Sequence, residues 1–234
     1  MFAPIAVLGM HRSGTSCLTG LLADAGIWLG DVSASNRFNR KGNQERRAVN
    51  TLHECVLVDN GGSWYAPPSG DCIWRPERIA ELRAILAEYP TDRPWAVKDP
   101  RACFTINGWL AERPDLRLIG TFRHPGAVVS SLRARGPKLQ VADEVDLWSR
   151  YNGQLLRLQE RLGFPLVCFD LPPSDYLAQV SDAFARLGLE LSRVDACFFD
   201  EGLRSATLNE QIPEAALALY HRLVAECSGC SALR

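Results

Sequence analysis

Lysine is scarce in this chain: of 26 basic residues only Lys41, Lys98 and Lys138 are lysines, and the other 23 are arginines. A lysine at a suggestive place is therefore more noticeable than it would be in an average protein. Net charge is scarce as well, since 26 basic against 27 acidic side chains leave −1. That balance excludes a general nucleic-acid or membrane-surface binder, whose affinity needs a basic excess. No apolar run approaches the roughly 18 residues of a membrane span, so no transmembrane helix is expected. The stretch Phe2 to Leu8 is short and has no basic residue before it, unlike a secretory leader. Of eight cysteines only Cys227 and Cys230 form a CxxC pair, and the second pair that a structural zinc site needs is missing. Cys17, Cys103, Cys168 and Cys197 lie in apolar stretches, where a thiol acts as a small hydrophobe. The expectation is reduced thiols in a cytoplasmic protein with no metal site.

What the chain does contain is 234 residues, 47% of them hydrophobic, enough to build a sizeable core. We read residues 1–234 as a single domain. Four short apolar runs alternate with helical periodicity: Ile5 to Gly9, Trp95 to Lys98, Leu116 to Phe122 and Phe164 to Asp170. Runs of this kind read as buried strands. With intervening helices they predict an α/β, three-layer fold, its mostly parallel central sheet covered by helices on both faces. Helices are expected after the first run (Leu18, Leu21, Leu22, Ala25), over 76–89 with Pro76 in the first turn, to about Leu110, over Gly126 to Arg133, and over 143–162. A further helix should start at Tyr176, capped by Ser174 or Asp175, and end near Leu187. Gly30 to Asn50 reads as a long polar loop entering a helix, and Gly61 to Trp74 as irregular chain.

The strongest local signal is Gly9-Met-His-Arg-Ser-Gly14-Thr15-Ser16, between the first strand and the first helix. Its glycine spacing is that of a P-loop, with Thr15 where the lysine should stand. Loop amides and the helix N-terminus form an anion-binding concavity, and Arg12 adds a cation to it. Without the lysine that reaches the β- and γ-phosphates, hydrolysis of a nucleoside triphosphate is a poor fit. Asp170 could imitate a Walker B carboxylate, but Leu171-Pro172-Pro173 follows at once, so it reads as a strand-end or loop residue. Arg123 follows the third strand and so sits at the carboxyl edge of the sheet, where α/β folds bind ligands. Gly126 to Ser131 opens the next helix beside it, a second anion site.

These residues resemble a known family. HRSGTS at 11–16 is similar to the 5′-phosphosulfate loop of sulfotransferases that use 3′-phosphoadenylyl sulfate (PAPS). Arg123, with Ser131 eight residues on, is similar to that family's 3′-phosphate motif. Val97-Lys98-Asp99-Pro100-Arg101 resembles a strand end of its bacterial and Golgi protein-tyrosine branches. The matched segments span residues 5–131. The resemblance implies a P-loop fold and a bacterial PAPS-dependent O-sulfotransferase that needs no metal, acting on a carbohydrate or other small-molecule hydroxyl. It assigns His11, Arg12, Ser13, Gly14, Thr15, Ser16, Arg123 and Ser131 to the donor, Arg12 to the leaving phosphate and Lys98 to the transferring group. A simple ion pair of Lys98 with Asp99 is the alternative for that lysine.

An acceptor hydroxyl also needs a base. Glu45, Asp99, His11 and His53 are candidates, with Glu45 favoured because GNQE at 42–45 is similar to a bacterial KG-x-x-E pattern. His53, His124 and His221 read as structural or solvated. Departures from the family are Cys17 in place of an adenine-stacking tryptophan and no later RKG segment, for which Arg133 or Arg135 would have to substitute. Trp64, Tyr65 and Trp74 are candidates to stack on an acceptor ring, and Arg37, Arg40, Lys41, Arg46 and Arg47 form a basic stretch beside the site or a solvated face. The rival functions are a small-molecule P-loop kinase using ATP and a non-catalytic nucleotide-binding module.

Overall fold

The computed structural model describes residues 3–32, 41–134, 144–189, 198–200 and 211–227. Among them are four strands: β1 (Ile5–Leu8), β2 (Ala96–Lys98), β3 (Arg117–Phe122) and β4 (Leu166–Cys168). The helices are α1 (Thr15–Asp24), α2 (Arg47–Asp59), α3 (Pro76–Ala87), α4 (Ala102–Glu112), α5 (Pro125–Arg133), α6 (Glu144–Leu162), α7 (Pro173–Arg186) and α8 (Glu214–Glu226). The strands form one parallel sheet in the order β2-β1-β3-β4. Every residue of β1 is buried, so both faces of the central strand are covered, as a parallel sheet requires. The α/β architecture expected from the alternating apolar runs is the one observed.

Helix stripes meet the sheet as their periodicity requires. Leu18, Leu21 and Leu22 of α1 are fully buried, as are Trp148, Tyr151 and Leu155 of α6, while Leu162 at the end of that stripe is 42% exposed. Two elements differ most from expectation. The fourth strand shortens to Leu166–Cys168, because the chain turns at Phe169 and Asp170 to enter the Pro172-Pro173 segment. Helix α7 begins at Pro173 rather than Tyr176: proline's fixed φ suits the first helical position, and Ser174 and Asp175 lie inside the first turn.

Strand order determines where a ligand can lie. The connection after β1 leads outward to β2, and the connection after β3 leads the other way to β4. The carboxyl ends of the neighbours β1 and β3 are therefore a topological switch point, where the outgoing chains diverge and leave a crevice. Both candidate anion motifs leave the sheet there.

Candidate active site

The loop between β1 and α1 is built around three unusual backbone positions. Gly9 has φ 143°, and a Cβ there would lie 2.3 Å from the Thr121 carbonyl oxygen of β3. Gly14 caps α1 at φ 85°, and a Cβ there would lie 2.4 Å from the Phe169 ring. Arg12 itself adopts φ 69°. Non-glycine residues in the left-handed region are strained, and such strain collects at functional sites. Among the described residues only Arg12 and Gln44 (φ 57°) do this, and both belong to this site.

The loop is tied to its neighbours at each end. Thr121 Oγ1 donates to the Ser13 carbonyl at 3.0 Å. Arg12 Nε donates to Ser131 Oγ on α5 at 2.8 Å, so the two motifs separated by 119 residues meet. The Ser13 side chain is fully buried and its hydroxyl has no hydrogen-bond partner. A buried, unsatisfied donor costs free energy unless something completes it, which fits a loop that receives an anion. The His11 ring turns to an aromatic wall, 5.0 Å from the Trp64 ring and 5.9 Å from that of Tyr151. Thr15, in the lysine position, is buried, and Cys17 is half-buried.

Lys98 closes β2 in register with Val7, next to the β1–α1 loop. Its ammonium is almost fully buried and makes three contacts: Ser16 Oγ at 3.3 Å, the Asn43 carbonyl at 2.8 Å and Glu45 Oε1 at 2.5 Å. The ion-pair partner is therefore Glu45, not the adjacent Asp99. Gly42 and Gln44 in left-handed conformations coil residues 41–45 so that the Asn43 carbonyl reaches both Lys98 and Ser16.

Asp99 faces the other way. Its Oδ1 accepts from the Arg101 amide at 2.9 Å and from Arg101 Nη1 at 3.1 Å, and its Oδ2 from Asn50 Nδ2 at 2.7 Å. His53 Nδ1 lies 3.4 Å from Oδ2, while His53 Nε2 accepts from Trp109 Nε1 at 2.7 Å. Burial alone would raise the Asp99 carboxyl, but His53 and Arg101 outweigh it and hold it below the usual range. The same Asn50 amide also donates to Glu45 Oε2 at 3.2 Å, and Glu54 accepts from Arg101 Nε at 2.6 Å. Asn50, His53 and Glu54 fall on one face of α2 at helical spacing, which is why one helix can reach the whole strand end.

Arg123 lies across the crevice, buried, with its guanidinium 5.4 Å from the Phe169 ring and Nε 3.7 Å from Asp170 Oδ1. Trp148 Nε1 holds the Arg123 carbonyl at 3.0 Å. His124 caps α5, its Nδ1 accepting from the Gly126 amide at 3.2 Å, and burial lowers its pKa.

The structure thus brings Arg12, Ser13, Gly14, Thr15, Ser16, Glu45, Lys98, Arg123 and Ser131 to one edge of the sheet, with Asp99 behind them and the His11 ring on a side wall. Arg133 pairs with Glu144 on the surface. Arg37, Arg40, Arg135, Cys197 and Cys230 lie outside the described residues. Lys41 reaches the Phe198 carbonyl at 2.7 Å. Trp74 packs over Gly108 and bonds Asn107, while Tyr65 is half-exposed beside Trp64. Asn50 and Tyr220 escaped sequence reading, and Asp170 was read only as a strand-end or loop residue. The spacing of Asn50 from Glu45 offered a weak hint, but no sequence signal marks its shorter bond, to a partner 49 positions away.

Among the described residues, no group of His, Cys, Asp and Glu side chains could hold a metal ion, and no helix is long and apolar enough to cross a membrane.

The fold of the chain is similar to that of solved sulfotransferase domains. Two solved structures illustrate the likeness. The sulfotransferase domain of the Synechococcus PCC 7002 olefin synthase superimposes with a TM-score of 0.53 at 21% identity, covering 94% of each chain. The sulfotransferase domain from the curacin biosynthetic pathway superimposes with a TM-score of 0.53 at 16% identity, over 95% of this chain and 98% of that one. No family model matches the sequence, and no curated protein matches it.

Proposed function

We propose that the protein is a PAPS-dependent O-sulfotransferase, transferring a sulfuryl group to the hydroxyl of a carbohydrate or other small-molecule acceptor. The observation that carries the reading is the Arg12–Ser131 hydrogen bond. It joins the β1–α1 loop to the helix that follows Arg123, which supports reading the two motifs as one anion-binding cradle. A ligand phosphorylated at both the 5′ and 3′ positions suits such a cradle. The unsatisfied Ser13 hydroxyl and the left-handed Arg12, Gly9 and Gly14 backbone support an anion at the 5′ end. Arg123 and Ser131 supply the 3′ end.

Bound PAPS supplies an activated sulfuryl group, and the residues around it position and stabilise charge. Sulfuryl transfer moves negative charge onto the bridging oxygen of the leaving phosphate, so cations and amides placed there lower the barrier. Arg12 and the amides of Ser13 to Ser16 face that oxygen in our reading. Lys98 turns from Glu45 to the transferring group, which frees the Glu45 carboxylate to take the acceptor's proton. The acceptor oxygen then bonds sulfur as the sulfur–oxygen bond to the 5′-phosphate breaks, and adenosine 3′,5′-bisphosphate (PAP) is the product. Asp99, fully buried and bonded to Asn50 and Arg101, serves as a positioning residue rather than a group in contact with acceptor.

A kinase reading lacks the loop lysine, and Thr15 in its place is buried. The test is a calorimetric titration with PAP followed by an acceptor screen using sulfur-labelled PAPS. Binding of PAP that Arg123→Ala weakens, together with label transfer that Glu45→Gln abolishes, is the expected result. Absence of PAP binding overturns the reading. Binding without transfer to any acceptor favours the non-catalytic module.

A further inference from the structure

Asp170 is a carboxylate with more partners than a turn residue needs. Its Oδ2 accepts from the His124 amide at 2.6 Å and from the Tyr220 hydroxyl at 3.1 Å, and its Oδ1 faces Arg123 Nε at 3.7 Å. It therefore grips the β3–α5 connection twice, once by backbone and once by side chain. Tyr220 comes from α8, and its ring also lies edge-on to His124 at 5.0 Å. The residue before Asp170, Phe169, carries the Arg123 guanidinium above its ring and fills the space beside Gly14 of the phosphate loop. One turn after β4 thus touches both halves of the cradle.

We infer that Asp170, held by Tyr220, is a positioning residue that aims Arg123 at the 3′-phosphate of the donor and so sets selectivity for 3′-phosphorylated nucleotides. The inference rests on the proposed function, because it needs PAP as the ligand. An arginine has several rotamers of similar energy, and a carboxylate on one side with an aromatic face on the other leaves it few. The fixed fork then meets a phosphate without first losing side-chain freedom, which is where preorganisation contributes to affinity. The arrangement also gives the C-terminal helix α8 a part in the donor site.

The test compares PAP with adenosine 5′-monophosphate, which lacks only the 3′-phosphate, by calorimetry on the whole chain. In the unaltered protein PAP should bind more tightly. Asp170→Asn retains acceptors for the His124 amide but removes the charge beside Arg123. It should lower the ratio of PAP to 5′-monophosphate affinity several-fold, less than loss of a hydrogen bond would because the contact is an ion pair at 3.7 Å, leaving 5′-monophosphate binding intact. Tyr220→Phe should move the ratio in the same direction by less. A ratio near one in the unaltered protein overturns the proposed function itself. A ratio that Asp170→Asn leaves unchanged or increases, or equal weakening of both nucleotides, overturns the positioning role while the function stands. If Asp170→Asn fails to fold, Tyr220→Phe decides by the same criterion.

Discussion

Arg12 Nε donates to Ser131 Oγ at 2.8 Å, although the two residues stand 119 positions apart on different sides of the switch point. In the proposed reading neither motif alone makes a bisphosphate site, and this contact joins the two. Because the side chains act as a unit, their effects on ligand binding should not add. Arg12→Ala and Ser131→Ala are each expected to weaken PAP binding about tenfold, as loss of a charge-assisted bond does. The double variant should be weaker than either but well short of the product. Calorimetric titration of the four proteins gives the cycle; strict additivity would show that the contact is incidental to binding.

Gly9 is the least replaceable residue of the loop. Its φ of 143° is unsuited to an L side chain, and the obstruction at 2.3 Å is the Thr121 carbonyl, part of the sheet and unable to step aside. At Gly14 the obstruction is instead the Phe169 ring. Gly9→Ala should therefore destabilise the protein by more than about 1 kcal/mol, the level at which a compatible site would have gained stability instead. It should also abolish the rise in melting temperature that bound PAP is expected to give by mass action. Thermal melts with and without PAP check both effects, and an unchanged PAP-induced shift would separate loop geometry from anion binding.

Much of this site was legible because it follows chain-local rules. A glycine-spaced loop after an apolar strand, an arginine ending another strand and a lysine in a lysine-poor chain each mark themselves. The strand-helix alternation gave the sheet for the same reason. What could not be read was pairing between distant side chains. Lys98 chose Glu45 over its neighbour Asp99 because β2 points its ammonium at the loop of residues 41–45, a three-dimensional fact. His53, read as structural or solvated, is buried but stands beside Asp99 with Trp109 behind it. Asp170 looked like a strand end because its three partners come from elements before and after it. The early start of α7 was missed for a local reason: Ser174 and Asp175 imitate caps, while Pro173 is better suited to open the helix.

Acid should unfold the protein partly through Asp99. Its folded pKa lies below the ordinary carboxyl value of 3.8, since His53 and Arg101 beside it outweigh the cost of burial. A depressed carboxylate contributes stability above its unfolded pKa and loses it as pH falls through the folded one. Between about pH 4 and lower pH the unfolding free energy should drop by up to about 1.4 kcal/mol per pH unit from this group. Asp99→Asn should flatten that slope while being less stable at neutral pH, because it leaves Arg101 without one anion. Asp170 has the opposite sign: burial raises its pKa, so its ionised form opposes folding at neutral pH and that opposition fades on acidification. Urea titrations from neutral pH to about pH 3 separate the two, with Asp99→Asn and Asp170→Asn expected to change the slope in opposite directions.

Arg46 anchors the chain next to Glu45. It is the residue before α2, with its guanidinium 4.7 Å from the Tyr89 ring, 6.0 Å from that of Trp28, and Nη2 2.5 Å from Glu88. Glu88 is more than half exposed, so the ion pair should contribute little, about 0–1 kcal/mol. Stacking on two rings, one of them buried, should contribute about 1–2 kcal/mol, and lysine cannot reproduce the planar fork. Arg46→Ala and Arg46→Lys should therefore both destabilise measurably, whereas Glu88→Gln should not. Because Arg46 holds the segment bearing Glu45 and not the phosphate loop, PAP affinity should persist in both arginine variants while transfer from labelled PAPS falls. Urea denaturation ranks the three variants, and a loss in Glu88→Gln equal to that in Arg46→Ala would assign the clamp to charge instead of to the aromatic faces.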